Sequence, residues 1–83
     1  MFTIYVLVSI KNGKRYIGYT SKKPEERLEE HNYGSNKFTK NNRPFILKYT
    51  EHHTDKTEAI KRENFLKSGV GRKFLDSIIK KGD

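Results

Sequence analysis

Eighty-three residues with a formal charge of +8, 18 Lys and Arg against 10 Asp and Glu, make one small basic domain, residues 1–83, whose surface stays largely wet. The absence of cysteine excludes disulfides, cysteine-based zinc sites and thiol chemistry, and no apolar run approaches the length of a membrane span. The basic surplus favours a polyanionic partner, nucleic acid before a membrane surface, because the cations are scattered and no Trp- or Phe-rich anchoring face accompanies them.

The chain opens on two β-rich runs, Phe2 to Ile10 and Arg15 to Thr20, separated by Lys11-Asn12-Gly13-Lys14. Asn-Gly between such runs is the strongest local hairpin signal, since a two-residue type I′ turn needs positive φ at both central positions. That turn sets the register: Ile10 opposite Arg15, Ser9 opposite Tyr16, Leu7 opposite Gly18 and Tyr5 opposite Thr20. Period-two alternation then places Phe2, Ile4, Val6, Val8 and Ile10 on a core face with Ile17 and Tyr19. Thr3, Tyr5, Leu7, Ser9, Tyr16, Gly18 and Thr20 form a more polar face, with Gly18 leaving room for close approach to the backbone. In this register Tyr5 and Tyr16 stand about 13 Å apart along the strands. They are either two half-exposed strand tyrosines or groups addressing one ligand. The N-terminal apolar run lacks a basic leader region and a small-residue cleavage site, so no signal peptide is expected and the cytoplasm is the expected location.

Ser21 to Asn32 reads as a helix, with Pro24 in its first turn, Glu25 and Glu26 at the positive dipole end, and Asn32 to Gly34 terminating it. Its inner side is poor in apolar residues: Pro24, Arg27, Leu28 and His31 share it at i, i+3, i+4 and i+7. A guanidinium and an imidazole over a polar sheet face suit a phosphate site; a solvated helix edge is the alternative. Residues 35–44 read as a basic polar loop with one exposed aromatic, Phe38. Its Lys37, Lys40 and Arg43 are candidates for phosphate contact, or are simply solvated.

Phe45 to Glu51 reads as a third strand, and the adjacent His52 and His53 point to opposite faces, which argues against a metal pair. Asp55-Lys56-Thr57-Glu58 is an Asp version of the capping box, opening a helix that Gly69 stops. Ala59, Ile60, Glu63, Leu66 and the stem of Lys67 form one stripe of it. A carboxylate within that stripe is costly unless paired, hydrogen-bonded or bound to metal, and Glu63 is therefore the most informative single residue. Gly71-Arg72-Lys73 opens a last helix with Phe74, Leu75, Ile78 and Ile79 inward, ending in Lys80-Lys81. The order is β-β-α-β-α-α, an α+β domain with a three-stranded, mostly antiparallel sheet flanked by helices.

Thr3-Ile4-Tyr5, Tyr16-Ile17-Gly18, Arg27-Leu28-Glu29-Glu30-His31 and Ala59-Ile60-Lys61-Arg62-Glu63 resemble, in order and spacing, the motifs of the GIY-YIG endonuclease domain. Lys37-Phe38-Thr39, Arg43-Pro44 and Lys67 to Arg72 are most similar to the small stand-alone bacterial members. The resemblance implies a small sheet flanked by helices and hydrolysis of DNA phosphodiester bonds, with RNA still open as a substrate. It implies catalytic roles for Tyr5 and Tyr16 (one activating water or orienting phosphate), for Arg27 on the scissile phosphate and for His31 in proton transfer or orientation. Glu63 falls at the single metal-ligand position, with Mg²⁺ expected and Mn²⁺ as its substitute, and one carboxylate completed by waters and substrate is a common way for Mg²⁺ to bind. Lys67 and Arg72 join Lys37, Lys40 and Arg43 as candidate nucleic-acid contacts.

The chain departs from the family pattern at Thr3, in place of a glycine, and after Gly18, where some members place a lysine nearby and only Lys14 or Lys22 is at hand. Without a separate recognition domain, nicking by a monomer with little sequence preference is expected, on branched, flapped or damaged DNA as in repair or recombination. A protein partner is one source of added specificity. The competing readings are a non-catalytic nucleic-acid-binding module and a basic partner of repair or ribosomal complexes.

Overall fold

The structure, a computed structural model, describes residues 1–34 and 36–79. Three antiparallel strands, β1 (Phe2–Ser9), β2 (Arg15–Thr20) and β3 (Phe45–His53), pair in the order β2-β1-β3. The helices are α1 (Pro24–Tyr33), α2 (Lys37–Asn42), α3 (Lys56–Lys67) and α4 (Gly69–Ile78). The expected α+β architecture is present, with one addition: residues read as loop form the short helix α2, giving β-β-α-α-β-α-α. Asn36 caps α2 by accepting the Thr39 N–H at 2.8 Å, a signal present in the sequence but masked by the polar, basic composition around it.

The β1–β2 connection is not a two-residue type I′ turn. Gly13 has φ 76°, whereas Asn12 keeps a negative φ. The loop is closed instead by Ser9 N–H to Lys14 O (2.8 Å) and Gly13 N–H to Ser9 O (2.9 Å). The Ser9 hydroxyl accepts from the Lys11 and Asn12 amides, at 3.1 and 3.2 Å, and donates to Asn42 O at 2.5 Å. Side-chain capping thus favours a longer turn docked on the end of α2. The register moves with it: Leu7 faces Tyr16, Tyr5 faces Gly18 and Thr3 faces Thr20. Each partner lies two residues from its expected place, so the faces are kept while neighbours change.

The face expected to be polar is also buried. Because β1 is the central strand, Ile4 and Val6 pack against Leu66 and Leu75 on one side, while Tyr5, Leu7 and Phe45 form a second core beneath Tyr16, Leu28 and Leu47. Tyr5 is 1% exposed, so it is not a half-exposed strand tyrosine. Ile10, expected inward, is exposed.

A bulge in β3 between the partners of Val6 and Leu7 makes Lys48 an extra residue, so Tyr49 and Glu51 face α3 and α4 rather than following Leu47 to the other side. Arg62 of α3 then grips Glu51 through Nε (2.9 and 3.1 Å) and Nη2 (2.8 Å), with its guanidinium 5.0 Å from the Phe65 ring centroid and 4.9 Å from that of Phe74. Burial raises the Glu51 carboxyl, but hydrogen bonds from Arg62, Tyr49 and His53 outweigh it and hold the pKa at about 2.

At the start of α3, Asp55 accepts from the Thr57 amide at 3.2 Å, and Glu58 approaches Lys61 at 4.0 Å, so the capping residue is as expected and the reciprocal half of the box is replaced by an ion pair. Gly69 does not stop α3. Ser68 ends it and at once caps α4, accepting from the Gly71 amide at 3.2 Å. Leu75 is buried as expected, Ile78 is exposed, and Lys80-Lys81 lie outside the described residues.

Candidate active site

Glycine at position 18 lets the site form. An added Cβ there would lie 2.6 Å from the Tyr5 hydroxyl and 2.7 Å from Cζ, so only a bare backbone allows the phenol to pass across β2 toward α1. The first turn of α1 is set by Pro24 and by Glu26, whose carboxylate accepts the Lys23 N–H at 3.2 Å. At the other end Asn32 bonds both backbone groups of Phe45 (Phe45 N–H to Oδ1 at 2.7 Å, Nδ2 to the carbonyl at 3.1 Å), fixing α1 against β3. Arg27 and His31, one helical turn apart, are thereby aimed at the tyrosine.

The Tyr5 hydroxyl stands 3.1 Å from His31 Nε2 and accepts from Arg27 Nε at 3.4 Å, while Arg27 Nη2 lies 3.5 Å from the same Nε2. His31 is wholly buried, which removes the solvated-edge reading of α1. On its far side Nδ1 lies 3.2 Å from Thr39 Oγ1, which donates to Asn36 Oδ1 at 3.0 Å, and Asn36 Nδ2 reaches the Tyr16 hydroxyl at 3.4 Å. Thr39 and Asn36, both on or beside α2, were not singled out by the sequence reasoning. The tyrosines expected far apart are diagonal neighbours, with ring centroids 6.2 Å apart and planes 27° from parallel, because the register differs by two residues. Tyr16 also lies 4.4 Å from the His31 ring.

Burial pushes the Tyr5 phenol above its ordinary pKa; Arg27 pulls against this, and Tyr16 and Glu63 add to it. Tyr5 is therefore a protonated phenol at neutral pH. Burial, reinforced by the Arg27 charge, pushes His31 below its ordinary value, so this imidazole is neutral and able to accept a proton. Arg27 has a resting counterion in Glu30, which also receives Lys22 Nζ at 3.3 Å.

A groove of about 630 Å³ opens along β2. Its walls are Gly13 to Ile17, Phe38 of α2, Glu63 and Lys67 of α3, and Arg72 and Leu75 of α4. Glu63 is paired to Lys67 at 3.7 Å, its side chain 15% exposed. Of the two lysines near the Tyr16-Ile17-Gly18 segment, Lys14 lines the groove while Lys22 is engaged by Glu30. Among the candidate nucleic-acid contacts, Lys67 and Arg72 line the groove, whereas Lys37, Lys40 and Arg43 lie outside its walls. Arg43 reaches back to the carbonyls of Asn32 and Tyr33, at 3.5 and 3.2 Å, at the negative end of α1. The described residues contain no cluster of three or more His, Cys, Asp or Glu suited to a metal, so an all-protein cage is not the arrangement. A single carboxylate beside open space suits an ion that keeps most of its waters, as Mg²⁺ does. No helix among the described residues is long and apolar enough to cross a membrane.

Comparison with known proteins finds relatives over nearly the whole chain. The profile of the GIY-YIG catalytic domain matches residues 1–74. A UPF0213 protein from Bacillus cereus (strain ATCC 10987) is 36% identical over 80 residues, covering 95% of this chain and 81% of its own length. A UPF0213 protein from Staphylococcus aureus (strain Mu3) is 40% identical over 73 residues, covering 87% of this chain and 88% of its own. The solution structure of a UPF0213 protein from Bacillus halodurans superposes with a TM-score of 0.58 at 30% identity, over 99% of this chain and 89% of that one.

Proposed function

The chain belongs to the GIY-YIG catalytic-domain family, a family of nucleases that act on DNA, and on that basis we propose that it is a divalent-metal-dependent endonuclease that nicks DNA with little sequence preference. The observation that carries this reading is the convergence of Tyr5, Arg27 and His31 through hydrogen bonds of 3.1 to 3.5 Å, next to a groove that holds Glu63 among Lys14, Lys67 and Arg72.

Phosphodiester hydrolysis needs a proton acceptor for water, a cation on the phosphoryl oxygens and help for the leaving oxygen. The attacking water gives its proton to the Tyr5 oxygen as that phenol, held by Arg27 Nε, gives its own to neutral His31 Nε2, so the relay forms no free phenolate. Arg27 exchanges Glu30 for the scissile phosphate, a bidentate guanidinium–phosphate contact being stronger than its exposed ion pair. Thr39 and Asn36 keep His31 oriented through the transfer. Tyr16, beside both rings, orients the phosphate at the mouth of the groove. Glu63 would hold Mg²⁺, or Mn²⁺ in its place. That ion, when bound, supplies Lewis-acid stabilisation of the phosphoryl and leaving oxygens. Lys14, Lys67 and Arg72 hold flanking phosphates and read no base edges, which is why sequence preference is small. One such site cuts one strand per event, as a monomer.

Conversion of supercoiled plasmid to the relaxed circle tests the reading. Nicking with Mg²⁺ or Mn²⁺ and none with EDTA is the expected result; the same relaxation in EDTA, or no cutting of supercoiled, branched or single-stranded DNA under any condition, overturns it.

A further inference from the structure

Phe38 has no part in the chemistry above, yet it is the aromatic wall of the same groove. It is 38% exposed, in contrast to Phe45 at 2%. Its packing is one-sided: Tyr16 lies 6.0 Å away at 31° and Phe45 6.3 Å away at 41°, leaving the rest of the ring open. Its ring continues a series that runs from buried Tyr5 through Tyr16 to the surface, so it stands immediately outside the candidate chemistry. Lys14, Lys67 and Arg72 share the groove with it.

An open aromatic face among cations is the composition with which proteins hold single strands, phosphates on the cations and bases on the ring. A base within a duplex is stacked on both faces and cannot meet Phe38. An unpaired one can, and a groove of about 630 Å³ is in the size range that encloses small organic ligands. We infer that Phe38 is a base-stacking subsite, and that the substrate class is nucleic acid with an unpaired nucleotide beside the scissile phosphate: single strands, flaps, gaps or bulges. This rests on the groove being the cleavage site proposed above.

The chain has no tryptophan, so Phe38→Trp introduces a single fluorophore at the subsite. In EDTA, single-stranded oligodeoxythymidylate is expected to quench that emission, and a blunt duplex of equal length is not. Phe38→Leu, which keeps apolar bulk against Tyr16 and Phe45, is expected to weaken single-strand affinity about tenfold and to leave duplex affinity within about twofold. Phe38→Tyr is expected to bind like the unmodified chain. Emission that is unchanged by single strand, or equal single-strand affinity in the Phe38→Leu variant, overturns the subsite. Selective quenching in a protein that cuts nothing keeps the subsite and removes the nuclease reading. Cleavage whose strand preference is the same in Phe38→Leu removes the subsite and keeps the nuclease.

Discussion

Tyr5 on β1 and His31 on α1 meet through one hydrogen bond, 3.1 Å from phenol oxygen to Nε2, between side chains 1% and 0% exposed. The network around them determines its direction. Thr39 Oγ1 spends its only proton on Asn36, so it accepts from His31 Nδ1–H. Arg27 Nη2 can only donate, at 3.5 Å, to Nε2. His31 therefore carries its proton on Nδ1, and Nε2 is the acceptor for the Tyr5 hydroxyl.

Thr39→Val tests that relay, since it keeps the shape and removes the acceptor. Nicking is expected to slow by about tenfold, with a stability loss of about 1–2 kcal/mol for the lost Thr39 hydroxyl hydrogen bonds. The readout separating orientation from bulk stability is the nitrogen NMR signature of His31, which should change from a single tautomer to a mixture. Thr39→Ser should restore both. An unchanged His31 signature in Thr39→Val contradicts the relay.

Gly18→Ala places a methyl carbon 2.6 Å from the Tyr5 hydroxyl. Displacing the phenol is expected to cost about 1–3 kcal/mol and most of the activity. Tyr5→Leu removes both clashing atoms, the oxygen at 2.6 Å and Cζ at 2.7 Å, so the Gly18→Ala penalty should shrink in that background. Thermal melts of the two single variants and the double variant measure this coupling, and additive losses would contradict the geometry.

Acid pH acts through two groups. The folded pKa of His31 is depressed, so its contribution to stability is full above its unfolded value near 6.5 and is lost as pH falls from there through the lower folded value. Activity that needs neutral His31 should fall on the acid side within that same range. Glu51 contributes stability that is full above its unfolded value of 4.5 and is lost as pH falls through about 2. Arg62→Ala should weaken the Glu51 dependence and cost about 1–3 kcal/mol, the carboxylate keeping only Tyr49 and His53. Urea melts between pH 2 and pH 7 on the parent chain, His31→Gln and Arg62→Ala separate the two slopes (the pH limits are about those of the two titrations).

Much of this arrangement was legible in the sequence because it depends on periodicity. Arg27 and His31 share a helix face at i, i+4, Glu63 interrupts an apolar stripe, and Tyr5 and Tyr16 keep one sheet face even though the register differs, since a two-residue shift preserves parity. What periodicity cannot carry was missed. The turn is set by the Ser9 hydroxyl and its bonds to Asn42, a tertiary contact invisible to an Asn-Gly rule. The burial of Tyr5 follows from β1 being central, which strand order decides. The roles of Asn36 and Thr39 depend on α2 folding back over His31 from a stretch whose composition reads as loop.

Glu30→Gln removes the resting counterion of Arg27 while leaving the groove intact. DNA affinity at fixed ionic strength is expected to rise about threefold, the scale of one exposed ion pair. An unchanged or weaker affinity by fluorescence anisotropy would mean that Arg27 does not meet the phosphate.

The central claim is that Glu63 serves the chemistry and not the fold or the grip on DNA. Its only ion pair among the described residues is to Lys67, at 3.7 Å, so Glu63→Ala should leave the melting temperature and the salt-sensitive DNA affinity close to those of the parent chain. Supercoiled-plasmid nicking by the two proteins side by side, with Mg²⁺ titrated from EDTA, is the direct measurement. Metal-dependent nicking by the parent chain and none by Glu63→Ala, at equal binding, is the predicted result. Equal nicking by both proteins, or no cutting of supercoiled, branched or single-stranded DNA by either with binding retained, would contradict the account.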